Sequence, residues 1–381
     1  MLAKISFLAF SIVISKGKGR GKRQVKYICR YTMTVQETYM HRCLQLAKLG
    51  AGNVAPNPIV GAILVYDERI IGEGYHQQYG AAHAEVNCIA SVKENEKELI
   101  PGSTMYVSLE PCVHFGKTPP CADLIIKNKI KNVVIGCRDP FEEVNGKGIE
   151  KLQAAGVNVT QNILEKDCKE LNKRFFTFQT IHRPYIILKW AQTINGKIAG
   201  TSPERLLITN EFTNRLAHKW RSEEAAILVG TNTALMDDPE LITRLWIGNN
   251  PIRLVVDMDL KLSSSSKIFN QKARTIVFNN SIHEERDNVS FYQVTEDVNL
   301  VHQIVNALYQ LKIQSVIIEG GAKMLQSFID EELWDEARVI TNNELIIDRG
   351  LDAPKLFFFS KIGQQKILND QIDFFKYEPG K

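Results

Sequence analysis

One histidine and two cysteines restrict what this chain can fold into more than any other feature. His83 opens the triplet His83-Ala84-Glu85, and Cys112 and Cys121 bracket a short segment with eight residues between the two thiols. An imidazole and two thiolates make a zinc site with three protein ligands and a fourth tetrahedral position open to water. Glu85 stands two residues past the histidine, where a carboxylate can move that water's protons. A purely structural site would instead need a fourth ligand, and His114 is the candidate.

The surrounding pattern predicts where these residues sit. Residues 37–49 carry Tyr39, Met40, Cys43, Leu44, Leu46 and Ala47 at helical spacing. Residues 53–58 form a turn, and 60–66 with 70–74 read as a hairpin joined through Asp67-Glu68. A helix over 82–92 holds His83 and Glu85 in its first turn, and a buried-type strand over 105–109 ends at Glu110-Pro111. Pro119-Pro120 suits a helix start near Cys121. A strand over 133–136, a helix over 149–155 closed by Gly156, a strand over 157–160 and one helix over 163–180 follow. The alternation implies helices on both faces of a mixed sheet. Both halves of the proposed metal site then lie at helix N-termini, where unpaired N–H groups favour thiolates.

The segment Pro111-Cys112-Val113-His114-Phe115-Gly116-Lys117-Thr118-Pro119-Pro120-Cys121 departs from the Cys-x-x-Cys spacing usual in zinc-dependent base deaminases. Its longer loop resembles that of one family, the bifunctional deaminase/reductases of riboflavin biosynthesis. Their pattern Pro-Cys-x-His-x-Gly-x-Thr-Pro-Pro-Cys is matched at every specified position, and the similarity extends upstream through Pro56-Asn57-Pro58-Ile59-Val60-Gly61. The resemblance implies an α/β chain with a cytidine-deaminase-like three-layer domain followed by a dihydrofolate-reductase-like domain. His83, Cys112 and Cys121 would hold Zn2+, Glu85 would be the catalytic proton carrier, and Asn57 would hydrogen-bond the substrate pyrimidine. His76 and His114 match family positions as pocket residues rather than ligands.

His182-Arg183-Pro184 breaks the helical pattern and marks the domain boundary, giving a deaminase domain over 33–180 and a reductase domain over 184–381. A strand over 185–191 runs into Gln192-Thr193-Ile194-Asn195-Gly196, where the family usually has Ser-Leu-Asp-Gly. Residues 211–221 read as a helix, and strands over 226–229, 252–256 and 275–278 lead to a helix over 298–311. A strand over 315–319 feeds Gly320-Gly321 and a further helix from Ala322. A strand–Gly-Gly–helix turn lets a phosphate approach main-chain N–H groups, but it is not the Gly-x-Gly-x-x-Gly of a Rossmann unit, so that fold is not expected. The resemblance implies NADPH contacts at Ala191, Leu207, Thr233, Asp237, Gly321, Ala322, Lys323, Met324, Leu325, Gln326 and Ser327. It implies substrate contacts at Lys189, Arg205, Arg221, Leu241, Arg244 and Glu319, with the cations on a phosphate. Around 205–207 the family more often shows Ser-x-Trp, and after Asp257 it often has Ser in place of Met258.

The implied function is hydrolytic deamination of 2,5-diamino-6-(5-phosphoribosylamino)pyrimidin-4-one, then NADPH-dependent reduction of its ribosyl group to ribityl. The hydride comes from the nicotinamide, and no residue of the chain is assigned as an acid in that step. Two rivals are a nucleic-acid or nucleoside base deaminase with an appended domain, and a non-catalytic binding module stabilised by zinc. Charge weighs against the first. Residues 1–32 hold eight Lys/Arg and no acid, so removing them takes the formal charge from +4 to −4. The second leaves Glu85 without a purpose. All seven cysteines precede residue 169, an odd number that argues against a secreted disulfide framework. The apolar run at 2–15 is shorter than the roughly 20 residues that span a bilayer, and the 1–32 extension is expected to lie outside the fold, with translation starting at Met33. The expected partner is a small phosphorylated pyrimidine, with no nucleic acid and no membrane. The family implies a homodimer through the reductase half, and the expected location is the cytoplasm.

Overall fold

The computed structural model describes residues 33–115, 119–201 and 206–380. The extension expected at 1–32 and the substrate contact expected at Arg205 lie outside the described residues. Helix α1 (Val35–Ala47) starts in a capping box, Thr34 exchanging hydrogen bonds with Glu37. Strands β1 (Gly61–Tyr66) and β2 (Arg69–Tyr75) pair antiparallel through Asp67 and Glu68, both left-handed, the conformation that matches a tight hairpin to strand twist. Then come α2 (Ala84–Ala90), β3 (Thr104–Leu109), α3 (Cys121–Lys127), β4 (Asn132–Cys137), α4 (Lys147–Ala154) and β5 (Asn158–Thr160).

The first sheet has the order β2-β1-β3-β4-β5, antiparallel at the hairpin side and parallel from β3 to β5. Successive residues of β1 serve opposite faces, as the pleat requires. Ala62 and Leu64 pack with Ala84, Cys88, Ile125 and Leu152 of α2, α3 and α4. Ile63 and Val65 pack with Met40, Cys43 and Leu44 of α1 and with Cys168. These are the three expected layers.

The single helix expected over 163–180 is instead two, α5 (Glu165–Leu171) and α6 (Lys173–Ile181). Asn172 divides them because its amide is engaged elsewhere. Its Oδ1 accepts from Ile59 N at 2.8 Å and its Nδ2 donates to Ile59 O at 2.9 Å, so it pairs with the extended chain leaving the Asn57 turn. α6 ends at Ile181 with His182 left-handed, and Pro184 bars further helix.

The second sheet collects β6 (Tyr185–Thr193), β8 (Ala226–Gly230), β9 (Ile252–Val256), β10 (Thr275–Asn279), β11 (Glu284–Arg286), β12 (Val289–Gln293), β13 (Ser315–Glu319), β14 (Glu336–Asn342), β16 (Phe359–Ile367) and β17 (Asp370–Tyr377). A separate two-stranded pair is formed by β7 (Lys197–Gly200) and β15 (Gly350–Asp352). The large sheet runs β11-β12-β10-β9-β8-β13-β6-β14-β17-β16. One face buries Ile186, Leu188 and Trp190 against α9 (Leu300–Gln310) and α10 (Ala322–Asp330). The other buries Tyr185 and Ile187 beneath α7 (Glu211–Glu223), with α8 (Thr231–Asp237) beside it.

Charges on α6 tie the two sheets together. Lys173 Nζ meets Glu336 at 2.9 Å, and Arg174 Nε meets Glu224 Oε2 at 2.7 Å. Gln314 Nε2, at the start of β13, donates to Pro56 O at 2.6 Å, so the second unit touches the Asn57 turn directly.

Candidate active sites

The first site is assembled where two helices start. A Cβ on Gly74 of β2 would lie 2.2 Å from Cys88 N and 2.5 Å from Ala84 O, so only glycine lets α2 press its main chain onto the strand. That approach fixes His83, the residue capping α2, and Glu85 in its first turn. On the opposite side, the buried carboxylate of Glu110 accepts from the N–H groups of Asp139, Gly146, Gly148 and Ile149 at 2.9–3.2 Å. It anchors the loop that delivers Cys112. Cys121 is the first residue of α3 and donates its main-chain N–H to Cys112 Sγ at 3.4 Å.

The three ligand atoms lie within 4.8 Å of one another, with His83 Nδ1 3.6 Å from Cys112 Sγ and 3.4 Å from Cys121 Sγ. Tetrahedral zinc, with bonds of about 2.05 Å to nitrogen and about 2.3 Å to sulfur, spaces such atoms at about 3.5 Å. The donor set therefore fits zinc. Among the described residues this cluster closes at three, and His114 sits apart with its ring edge-on to Phe141 at 5.9 Å. The hydrogen bond from Cys121 holds the Cys112 thiol down to about 4, against its burial and aided by His83, while the same contact pushes Cys121 up. The pair keeps one proton between two sulfurs, which a cation displaces.

Burial pushes Glu85 up to about 7, reinforced by Cys112 and opposed by His83. Glu85, His83 and Cys112 line a cavity of about 590 Å³, with Asn57 and His76 on its wall. His76 Nδ1 contacts Ala82 O at 3.0 Å, so that nitrogen carries the proton. Its Nε2 then accepts from Asn57 Nδ2 at 3.2 Å, and burial keeps the ring neutral by lowering its pKa.

The second site lies on the large sheet, where the C-terminal end of β13 meets the middle of its parallel neighbour β6. Register places Lys189 beside Glu319, and Lys189 Nζ stands 3.5 Å from Glu319 Oε2. Arg221 of α7 grips the same carboxylate at 3.0 and 2.7 Å in the two-pronged geometry guanidinium favours. Burial alone would raise Glu319, but Arg221 and Lys189 outweigh it and hold the carboxyl at about 2. His218, three residues before Arg221, accepts from Arg244 N through Nδ1 at 3.3 Å. Burial, then Arg221 and Arg244, lower its pKa to about 4.

Gly320 and Gly321 take φ of 89° and 72°, and a Cβ on Gly320 would lie 3.0 Å from Thr233 Cγ2. Thr233 and the Gly-Gly turn are thus brought together, opening a side-chain-free approach to the N–H groups at the start of α10. This is a cradle that fits a cofactor phosphate. Met324 packs near Gly230, and Ser327 Oγ and Gln326 Nε2 are engaged with Lys323 O and Asp330. Ala191 is on β6 and Asp237 ends α8, both half-buried. Leu325 is fully buried in the core, so only its main chain, donating to Gly321 O at 3.1 Å, faces the turn. Leu241 is buried and left-handed, Arg244 is largely exposed near Glu240, and Leu207 is 77% exposed.

Asn172, Glu110 and His218 were missed from sequence. Only His218 had a local signal, sharing a helix face with Arg221 at three-residue spacing.

Comparison with known proteins agrees on both halves. Residues 33–137 match the model of the cytidine and deoxycytidylate deaminase zinc-binding region, and residues 184–346 match the RibD C-terminal domain. Riboflavin biosynthesis protein RibD of Aquifex aeolicus is 38% identical over 356 residues, covering 90% of this chain and 98% of that one. The Escherichia coli protein of the same name is 33% identical, covering 83% and 89%. The crystal structure of a diaminohydroxyphosphoribosylaminopyrimidine deaminase/5-amino-6-(5-phosphoribosylamino)uracil reductase from Thermotoga maritima superposes with a TM-score of 0.83 at 37% identity, covering 90% of this chain and 99% of that one.

Proposed function

The chain belongs to the RibD family of bifunctional riboflavin-biosynthesis enzymes, and from that premise we propose which residues carry each activity. It is a zinc-dependent deaminase of 2,5-diamino-6-(5-phosphoribosylamino)pyrimidin-4-one and an NADPH-dependent reductase of the ribosyl group. A nucleic-acid base deaminase with an appended domain is not the reading these relatives favour. The division we assign is 33–180 for deamination and 184–381 for reduction, the break falling where α6 ends.

In the first half His83, Cys112 and Cys121 hold zinc, which supplies Lewis acidity that makes water acidic near neutral pH. Glu85 is the proton carrier. A buried carboxyl near 7 can accept a proton from water and return it to the departing amine at the same pH. The Asn57 amide, oriented by His76, is placed to hydrogen-bond the pyrimidine edge. Asn172 positions it at one remove by clamping Ile59.

In the second half NADPH supplies the hydride. Gly321 to Ser327, with Thr233, Ala191, Asp237 and Leu207, form its site, the Gly-Gly turn taking a phosphate. Lys189, Arg221, Leu241, Arg244 and Glu319, with Arg205, hold the substrate. Glu319 keeps its charge at every physiological pH, so it orients Lys189 and Arg221 instead of donating a proton.

The chain works as a homodimer through its reductase half. Supporting this, Phe357, Phe358, Phe359 and Ile362 are exposed at β16, the edge of the large sheet. A cytoplasmic location is supported by six free cysteines among the described residues, the adjacent Cys137 and Cys168 included.

The observation that carries the reading is the three-ligand cluster sharing one cavity with Glu85. Metal analysis, ammonia release and NADPH oxidation measured on one preparation test it. Chelation should abolish ammonia release and spare NADPH oxidation supplied with deaminated substrate. Ammonia release that survives complete zinc removal refutes it.

A further inference from the structure

The deaminase cavity is not closed by the deaminase half alone. Its far wall comes from the second sheet's units: Tyr309 at the end of α9, Lys312 in the turn after it, and Gln314 at the start of β13. This wall is tied down. Gln314 donates to Pro56 O at 2.6 Å beside Asn57, and the Tyr309 ring packs on Phe178 of α6 with centroids 4.8 Å apart.

The charges around the cavity are lopsided. Glu85, Glu110 and Asp139 line it, and Lys312 is the one lysine or arginine among the described residues that do. Lys312 is exposed, and its ammonium enters no ion pair formed among the described residues. Among the described lining residues it is therefore the one ammonium or guanidinium that a phosphate dianion can meet.

We propose that Lys312, supplied by the reductase half, is a substrate-binding residue of the deaminase site and receives the phosphate of the ribosylamine pyrimidine while the base lies against Glu85 and Asn57. This rests on the assignment of deamination to that cavity. Deamination then requires the two halves to be docked, because the cation that holds one end of the substrate and the carboxylate that serves the other come from different domains.

The test compares Lys312→Ala and Lys312→Arg in the full chain, using ammonia release from the phosphorylated pyrimidine and from its dephosphorylated counterpart. For the phosphorylated substrate Lys312→Ala should raise KM about tenfold, or about 1.4 kcal/mol, and leave kcat within about twofold. Lys312→Arg should restore most of the loss. With dephosphorylated substrate the three proteins should be alike, and NADPH oxidation should be unchanged in all. An unchanged KM in Lys312→Ala, or an equal rise for both substrates, overturns the proposal. Absence of ammonia release in the wild-type chain would instead remove the site assignment itself, and this inference with it.

Discussion

Glu319→Gln separates the electrostatics of the reductase site from its packing, since the two side chains are nearly isosteric. In the native chain Arg221 and Lys189 hold this carboxyl at about 2, against an ordinary value of 4.5. A gap of roughly 2.5 units, at about 1.4 kcal/mol each, is about 3 kcal/mol of stability at neutral pH. The side chain is only 10% exposed, so solvent screening takes little of it. Removing the charge also strands Arg221, itself 13% exposed, and breaking a buried pair costs about 3–5 kcal/mol. The folded pKa is depressed, so the contribution is fully present above about 4.5 and is lost as pH falls towards about 2.

The four tryptophans, Trp190, Trp220, Trp246 and Trp334, all lie in the second half, so intrinsic fluorescence reports that half alone. Urea unfolding followed this way should show Glu319→Gln less stable by about 3 kcal/mol at pH 6. The gap to wild type should narrow by about 1.4 kcal/mol per pH unit below about 4.5. NADPH oxidation should collapse while ammonia release stays within about twofold. A gap that is constant from pH 6 to 3.5 would show that the carboxylate is not held down by its neighbours and would refute the reasoning.

Glu85→Gln should keep zinc at wild-type stoichiometry by metal analysis and lose ammonia release by about 10²–10⁴-fold, the span of general acid–base catalysis. Gly320→Ala places a Cβ 3.0 Å from Thr233 at a left-handed φ of 89°. Titration should show NADPH affinity reduced at least about tenfold, with zinc content and ammonia release intact. Arg174→Ala leaves Glu224, whose side chain is fully buried, with the Ser315 hydroxyl and, as its remaining cation, Arg338 at 3.9 Å. Thermal unfolding should register a loss of about 3 kcal/mol.

What could be read from the chain before its structure follows the range of each interaction. The zinc ligands and Glu85 were legible because that chemistry demands particular residue types, and two of the three ligands lie nine positions apart. The β1–β2 hairpin was legible because two residues carry the whole turn. The strands β14, β16 and β17 were not read. β16 in particular is exposed along most of its length, so it lacks the in–out alternation by which a strand announces itself. The split between α5 and α6 was hidden because its cause, Ile59, lies 113 residues away.

The two domains share the turn that carries Asn57. Asn172 and Gln314 converge on one short turn, Asn172 clamping Ile59 and Gln314 holding Pro56, with Asn57 between those positions. One restraint belongs to the linker helices and the other to the reductase sheet, so the substrate-facing amide is held from both sides of the boundary. The buried pairs Arg174–Glu224 and Lys173–Glu336 fix α6 to that sheet. Each is costly to break because the partner left behind is buried. A rigid joint of this kind is what a turn needs if its geometry is set from two domains: slippage at α6 would move Gln314 relative to Ile59 and loosen Asn57 without touching the zinc ligands. Damage at the joint should therefore weaken pyrimidine binding before it releases metal.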